Sequence, residues 1–508
     1  MISLALLWVV CVLYSVWLWR QHSRRNDNEP PAIPGALPLI GHAHTLIGDS
    51  KCEYHLTDLT EKSFPLGGAV SASIVLTDPE DSMTVANTCL EKDGFYEFAK
   101  PWLGDGLVTG KLSIWRNHRK LLNPAFSQLV LEGFHDAFNR QARRLVKDLQ
   151  EQVGKGPFDH WIYTREIIVK YLTALGVDFT DHTLLNSKYV QATEEMFNVL
   201  VERFQNILMH NHWMYSWTGL RKKQDRLLKT LHSMAYTVST VRDKQYDKLH
   251  NYPIKLPGSK FKPFLDLLLE LTMEKNAFTD QEIRQQVDTM IVGGHDTSAS
   301  VLMYVLVMVG SFPEVQEELV KELEEVFGNS DRDVEKHDLC RLPYLEAVIK
   351  ETMRVIPIVP VIARKLDRDV KLSKLSATLF SLDYDMGSFK KRNLSLKYTL
   401  SAGRTCFIFL YGINRHPSWG PDAEQFRPER WLPPHTPPSA FAGFSMGKRH
   451  CIGKAYALMS MKMTLAHVLR HYKISADWTK LEVKIDVMLK PVSGYHISIE
   501  KRKFLAES

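Results

Sequence analysis

The sequence contains few cysteines, and no two of them are close together. Cys11, Cys52, Cys89, Cys340, Cys406 and Cys451 form no CxxC pair and no Cys/His cluster at zinc-finger spacing. A structural zinc and a disulfide framework are therefore disfavoured, and the pattern suits a reducing compartment. Long basic runs are lacking as well. The 64 Lys and Arg are interspersed with 58 Asp and Glu, a formal charge of +6, which leaves no nucleic-acid footprint. The chain has no internal repeat and no low-complexity block, and only one long uncharged apolar run.

That run is ISLALLWVVCVLYSVWLW, Ile2 to Trp19. As a helix rising about 1.5 Å per residue it would reach roughly 27 Å, close to the bilayer core. Arg20, Arg24 and Arg25 follow at once and hold the following chain on the cytosolic side by the positive-inside rule. A cleaved signal peptide is the alternative, but a basic n-region and a small-residue cleavage site are both missing. Residues 1–25 are expected to be a transmembrane anchor with a basic stop-transfer. Residues 26–42 contain PPAIPGALPLIGH, a stiff extended connector.

The rest, 43–508, is read as a single large body. With 44% hydrophobic and 24% charged residues the chain is too apolar for disorder. Helical patterns cover Ala137 to Val153, the segment from Pro313 to Gly328, and LPYLEAVIKETMRVIP up to Pro357. Strand-like runs at Ala72 to Asp78, Cys406 to Gly412 and Tyr495 to Glu500 are short and dispersed. The fold class is mainly α with small β-sheets (α+β).

Chemistry gathers around FSMGKRHCIG, Phe444 to Gly453. Its lone cysteine could be a disulfide half, a zinc ligand, an activated nucleophile, a buried small residue or a haem thiolate. Composition removes the first two, and the residues of this segment leave the others open. His450 cannot readily fold back onto its neighbour's sulfur as a general base. Four upstream patterns bear on the choice. In MIVGGHDTSAS, Gly293 and Gly294 weaken a helix by roughly 1 kcal/mol each, so backbone room is wanted there. Asp296 and Thr297 follow in what is otherwise a core helix, where polar groups are hydrogen-bonded or functional; a Thr bonded back to the preceding turn is the plain alternative. Glu351 and Arg354 stand i, i+3 on one helix face, and FRPERW offers Arg430 as a third member of that ion network. In WRNHRK, Trp115 and Arg119 are one turn apart and could hold an anion, though an amphipathic helix explains them equally.

In order, WRNHR, GGHDTS, ETMR, FRPERW and FSMGKRHCIG resemble the cytochrome P-450 haem-thiolate monooxygenase family over nearly the whole chain from the connector onward. The wording is most similar to the microsomal animal branch that includes fatty-acid omega-hydroxylases and many insect members. EXXR alone is weak, while FXXGXRXCXG late in the chain behind the other four is very specific. The resemblance implies the cytochrome P-450 fold with an N-terminal transmembrane helix, and haem b as cofactor. It makes Cys451 the axial ligand to iron, with Phe444, Gly447 and Gly453 shaping its loop. It sets Trp115, Arg119, Arg364 and Arg449 against the haem propionates, makes Asp296 and Thr297 the acid–alcohol pair that delivers protons beside a widened helix, and gives Glu351, Arg354 and Arg430 a scaffold role. It implies NADPH- and O2-dependent oxidation of a lipophilic substrate (a fatty acid, terpenoid or hormone, or xenobiotic). NADPH-cytochrome reductase would be the partner, with a b-type cytochrome as a further candidate, at the endoplasmic reticulum membrane. A haem-thiolate isomerase or dehydratase acting on hydroperoxides, and an inactive haem or lipid carrier, are the rival readings. The pocket would be lined by Asp93 to Gly110, Met196 to Trp217, the start of the Asp296 helix and Ile356 to Ile362.

The chain departs from the family twice. Some relatives in that branch have a glutamate, ester-linked to haem, where Gly293 stands, so non-covalent haem is expected. And 373–396 interposes SKLSATLFSLDYDMGSFKKRNLSL where a connection of 2 to 6 residues is usual. It reads as a surface insertion in a strand turn, or as retained intron or a wrongly assigned exon, the latter reading preferred because no clean period shows.

Overall fold

The computed structural model describes residues 9, 11–14, 16, 64–67, 72–171, 187–251, 264–372, 375–381, 390–396, 398–435 and 440–502. Val9, Cys11 to Tyr14 and Val16 are helical and exposed; the rest of the expected anchor and the proline connector lie outside the described residues. The chain forms two compact units interleaved along the sequence. Met1–Gly94, Val359–Glu424 and Pro438–His450 make one, and Phe95–Ile358, Gln425–Pro437 and Cys451–Ser508 make the other. The elements are mostly helices with small sheets, as the sequence leads one to expect.

The second unit is organised by the helix Asp280–Ser311, called here the core helix. Its start is sealed by a capping box: the Glu282 N–H donates to the Thr279 hydroxyl at 3.3 Å, and the Thr279 N–H donates to the Glu282 carboxylate at 2.9 Å. Among the described residues it alone is long and apolar enough to cross a membrane. With 72% of its most apolar window buried in protein, its all-round hydrophobicity is that of an interior helix. Pro313 opens the next helix, Pro313–Phe327, where its missing N–H costs nothing, and Gly328 ends it with φ 57°. The other expected helices fall at His135–Leu149 and Pro343–Val355.

The first unit carries a four-stranded sheet in the order Phe64–Gly67, Ala72–Leu76, Thr405–Ile408, Ile362–Lys365. Ala72–Leu76 and Thr405–Ile408 run parallel, with Ile74 opposite Cys406 and Leu76 opposite Ile408. Ile74, Val75 and Leu76 are successively buried, so both faces of that strand are covered. The CFIFLYG run is strand only as far as Ile408, because Leu410–Ile413 turns helical.

The unusual segment 373–396 continues a ladder that exists without it. Val370 pairs with Leu400 and Lys371 with Thr399, and the Leu372 N–H donates to the Tyr398 carbonyl at 2.9 Å. Beyond this, Leu375–Ser381 pairs antiparallel with Lys390–Leu396, from Leu375 opposite Leu396 to Ser381 opposite Lys390. The two strands form a sheet of their own, while Ile362–Lys365 keeps its register with Thr405–Ile408. A period of two is present after all from Leu375 to Leu379 (LSATL), too short to stand out in the sequence. Replacing 375–396 by a two-residue turn should shift the thermal midpoint by no more than about 4 °C. A larger fall in differential scanning calorimetry would mean that the arm buttresses the sheet.

Candidate functional site

In the second unit the Glu–Arg–Arg network forms as the sequence suggests. Glu351 and Arg354 are fully buried and Arg430 nearly so. Arg354 donates through Nε and Nη2 to the two oxygens of Glu351 at 2.8 Å each, and Arg430 Nε donates to Oε1 at 2.9 Å. Two further donors escaped the sequence reading: the Trp431 indole N–H and the Arg427 backbone N–H, each 2.9 Å from Glu351. Trp431 lay within the FRPERW motif, but the backbone donor leaves no trace in a sequence. The network joins Pro343–Val355 to the Gln425–Trp431 stretch.

On the core helix, Gly293 is exposed although Ile291, His295 and Asp296 around it are buried to about 1%. A Cβ built at Gly293 would meet no atom within 4 Å, so the room anticipated from the glycine pair is present. The widening is not. The helix is α-helical from Asp280 to Ser311, and the Thr297 hydroxyl donates to the Gly293 carbonyl at 2.6 Å. This is the back-bond that lets a threonine satisfy itself within a helix, so no unwinding is needed. Both carboxylate oxygens of Asp296 are buried without a hydrogen bond; the His295 imidazole is beside it, its Nδ1 3.4 Å from Oδ1. Burial pushes the His295 imidazole down, Asp296 opposes this, and Arg165 and Lys490 reinforce it. A buried carboxylate with no donor beside an open glycine is an arrangement that bound water or a ligand completes.

Cys451 stands just ahead of the helix Lys454–His471. The residue is exposed, yet burial is the first influence on its thiol and pushes it up. The Gly453 N–H, Arg119 and Lys454 pull the other way. Arg119 and Lys454 are the two cations whose charge favours the thiolate. Arg119 and Trp115 share the helix Leu112–Leu122, where Trp115 is buried and the Arg119 Nε donates to Asn123 at 2.9 Å. A Cβ on Gly453, which has φ −85°, would stand 3.9 Å from the Cys451 sulfur, an ordinary contact. Its glycine is therefore not demanded by the turn itself, contrary to expectation.

The first unit holds the remaining residues. Gly447 has φ +67°, and a Cβ there would lie 2.6 Å from the Ala86 carbonyl, so this glycine is required on both counts. Arg364 is fully buried and Arg449 is 8% exposed, while Phe444 is half-buried. A residue the sequence reading missed joins them: Lys92 is bridged antiparallel to Arg364. Burial, then Arg364, then Arg449 push the Lys92 ammonium well below its usual range. Cations that repel one another in a buried place suit a ligand with more than one negative charge. Lys92 sits in LEKDG, which carries no motif to reveal it.

A family model described as Cytochrome P450 matches residues 31–377 and 391–497, leaving 378–390 outside. Mouse Cytochrome P450 4V2 is 32% identical over 496 residues, covering 93% of this chain and 90% of that protein. Cytochrome P450 4c21 of Blattella germanica is 30% identical over 524 residues, with 99% of each chain covered. Cytochrome P450 4g15 of Drosophila melanogaster is 28% identical over 569 residues, covering 96% of this chain and 95% of the other. The class is therefore the haem-thiolate oxidoreductases, with insect and mammalian relatives as expected. This chain belongs to the cytochrome P450 family, whose members in general bind haem b non-covalently through a cysteine thiolate and act as monooxygenases.

Neutralising Glu351 should leave two buried guanidiniums without their acceptor. Glu351→Gln is expected to cost about 3–5 kcal/mol of stability in urea unfolding, against under about 0.5 kcal/mol for the exposed Glu318→Gln.

Proposed function

We propose that this chain is a membrane-anchored monooxygenase that uses electrons from NADPH, delivered by a reductase, to insert one atom of O2 into a lipophilic substrate. The observation that carries this reading is the buried, donorless Asp296 carboxylate beside the open Gly293. Residues 1–25 anchor the protein in the endoplasmic reticulum membrane, 26–42 connect, and 43–508, with 373–396 as an insertion, form the cytosolic catalytic body. Fatty acids, terpenoids or hormones, and xenobiotics are the substrate classes.

Bound haem supplies the activation of dioxygen and the thiolate-assisted cleavage of its O–O bond. Cys451 provides the sulfur, and the Gly453 N–H donates toward it and tunes it. Gly447 and Phe444 shape the loop. Arg119 and Trp115 in the second unit, and Arg364 and Arg449 in the first, would hold the haem propionates, and the field crowding Lys92 favours such carboxylates. Asp296 passes a proton through its carboxylate oxygens toward the open space at Gly293. Thr297 uses its hydroxyl proton on the Gly293 carbonyl at 2.6 Å, which leaves its oxygen free to accept. Gly293 has no carboxylate with which to esterify haem. Because the oxygenase reading gives both Asp296 and Thr297 a use in proton delivery, it is favoured over the peroxide-using isomerase.

The reduced protein with carbon monoxide should show the red-shifted Soret band of a thiolate-ligated haem, and Cys451→Ala should lose it. Acidified organic solvent should release the haem from the wild type. Asp296→Asn should keep the band while NADPH-driven product formation falls roughly 10²-fold. A normal band without NADPH-dependent product would favour the isomerase, and failure to hold haem would end the enzyme reading.

A further inference from the structure

Away from Cys451 and Asp296, one side chain of the second unit is buried in a way its neighbours do not explain. Arg203, near the end of the helix Ser187–Gln205, is 5% exposed. Arginine is rarely buried to that degree without an acid, because desolvating a guanidinium is costly. Among the described residues no carboxylate pairs with it. Its one hydrogen bond runs from Nε to the Met209 carbonyl at 3.2 Å, and Nη1 and Nη2 donate to nothing. Burial pulls its pKa down, and the neighbouring Arg221 adds to that, with only the Tyr215 phenol opposing.

What holds Arg203 in place is aromatic. Its guanidinium lies 3.8 Å from the Tyr215 ring centroid and 4.2 Å from that of Phe98. Tyr215 is itself fixed, fully buried with its hydroxyl donating to Gln224 at 3.1 Å. Phe98 packs against His210 at 5.3 Å, and Phe95 against Phe204 at 4.7 Å. Both rings lie over the guanidinium carbon and the Met209 carbonyl takes Nε, which leaves Nη1 and Nη2 without an acceptor among the described residues. That fork matches a carboxylate in two parallel hydrogen bonds. The rings come from Gly94–Ala99 and from the stretch around 204–215, the two parts of the sequence expected to line a pocket for a greasy ligand.

We propose that Arg203, clamped between Phe98 and Tyr215, is the receptor for the carboxylate end of an amphiphilic substrate whose hydrocarbon body packs on the surrounding rings. The site rests on the lipophilic-substrate reading given above and narrows it to ligands bearing an acid. Aromatic faces suit a planar, weakly hydrated guanidinium better than a strongly hydrated ammonium, so arginine is favoured there over lysine.

Equilibrium dialysis of the full-length protein tests this with dodecanoic acid, its methyl ester and acetate. The wild type should bind the acid roughly 10- to 100-fold more tightly than the ester, the range expected for hydrogen bonds to a charged group. In Arg203→Met that preference should collapse to near unity while the ester binds as before. Arg203→Lys, which keeps the charge and loses the fork, should fall between. Equal losses for acid and ester in Arg203→Met would show that Arg203 only packs the cage and would overturn the proposal, as would an unchanged ratio. Acetate displacing dodecanoate at equal concentration would overturn the amphiphile requirement. Carbon monoxide spectra of the same preparations report the haem separately. A protein that lacks NADPH-driven turnover but keeps its acid preference would therefore sink the monooxygenase reading and leave this one standing.

Discussion

The structure hangs on one buried carboxylate. Glu351 is a fully buried acid, and its oxygens accept from Arg354, Arg430, Trp431 and the Arg427 N–H. One donor stands a turn along Glu351's own helix and the other three come from a single distant stretch, so satisfying the acid fixes the helix Pro343–Val355 against Gln425–Trp431. The constraint spreads from there. Tyr344 at the start of that helix donates to Glu429 at 2.8 Å, and Glu346 one turn on accepts from Lys462 at 3.1 Å. Lys462 belongs to the helix Lys454–His471, which Cys451 immediately precedes. The position of Cys451 is thereby referred, through two helices, to the buried Glu351.

The core helix shows the opposite use of polarity. Glu351 is surrounded by donors, whereas Asp296 has none. One is satisfied and the other is not, and the difference lies in neighbours contributed by a distant segment. The two arginines repeat the contrast: Arg354 is buried against an acid, Arg203 against rings. Burial alone does not distinguish a structural charge from a receptive one; the list of partners does.

Much of this was legible in the sequence where the physics is local. Helix limits at Pro313 and Gly328 follow from backbone chemistry of single residues, and the i, i+3 spacing of Glu351 and Arg354 guarantees that they meet. Gly293 signalled room, and room is there. Other features depend on pairing across large separations. Lys92 gains its meaning only from the bridge to Arg364, and the clamp on Arg203 needs rings from two stretches more than a hundred positions apart. The back-bond of Thr297 was visible as one of two options, and the continuous α-helical backbone selected it.

What the sequence determined by itself was the family, the mainly helical class, and the order of motifs ending in FSMGKRHCIG, because these are properties of residue type and spacing. Tertiary structure decided which polar groups are left without partners, which glycine is obligatory (Gly447 against Ala86, not Gly453), and how 375–396 attaches to its parent ladder. Those outcomes follow from contacts between segments, and a contact has an energy only when both sides are in place.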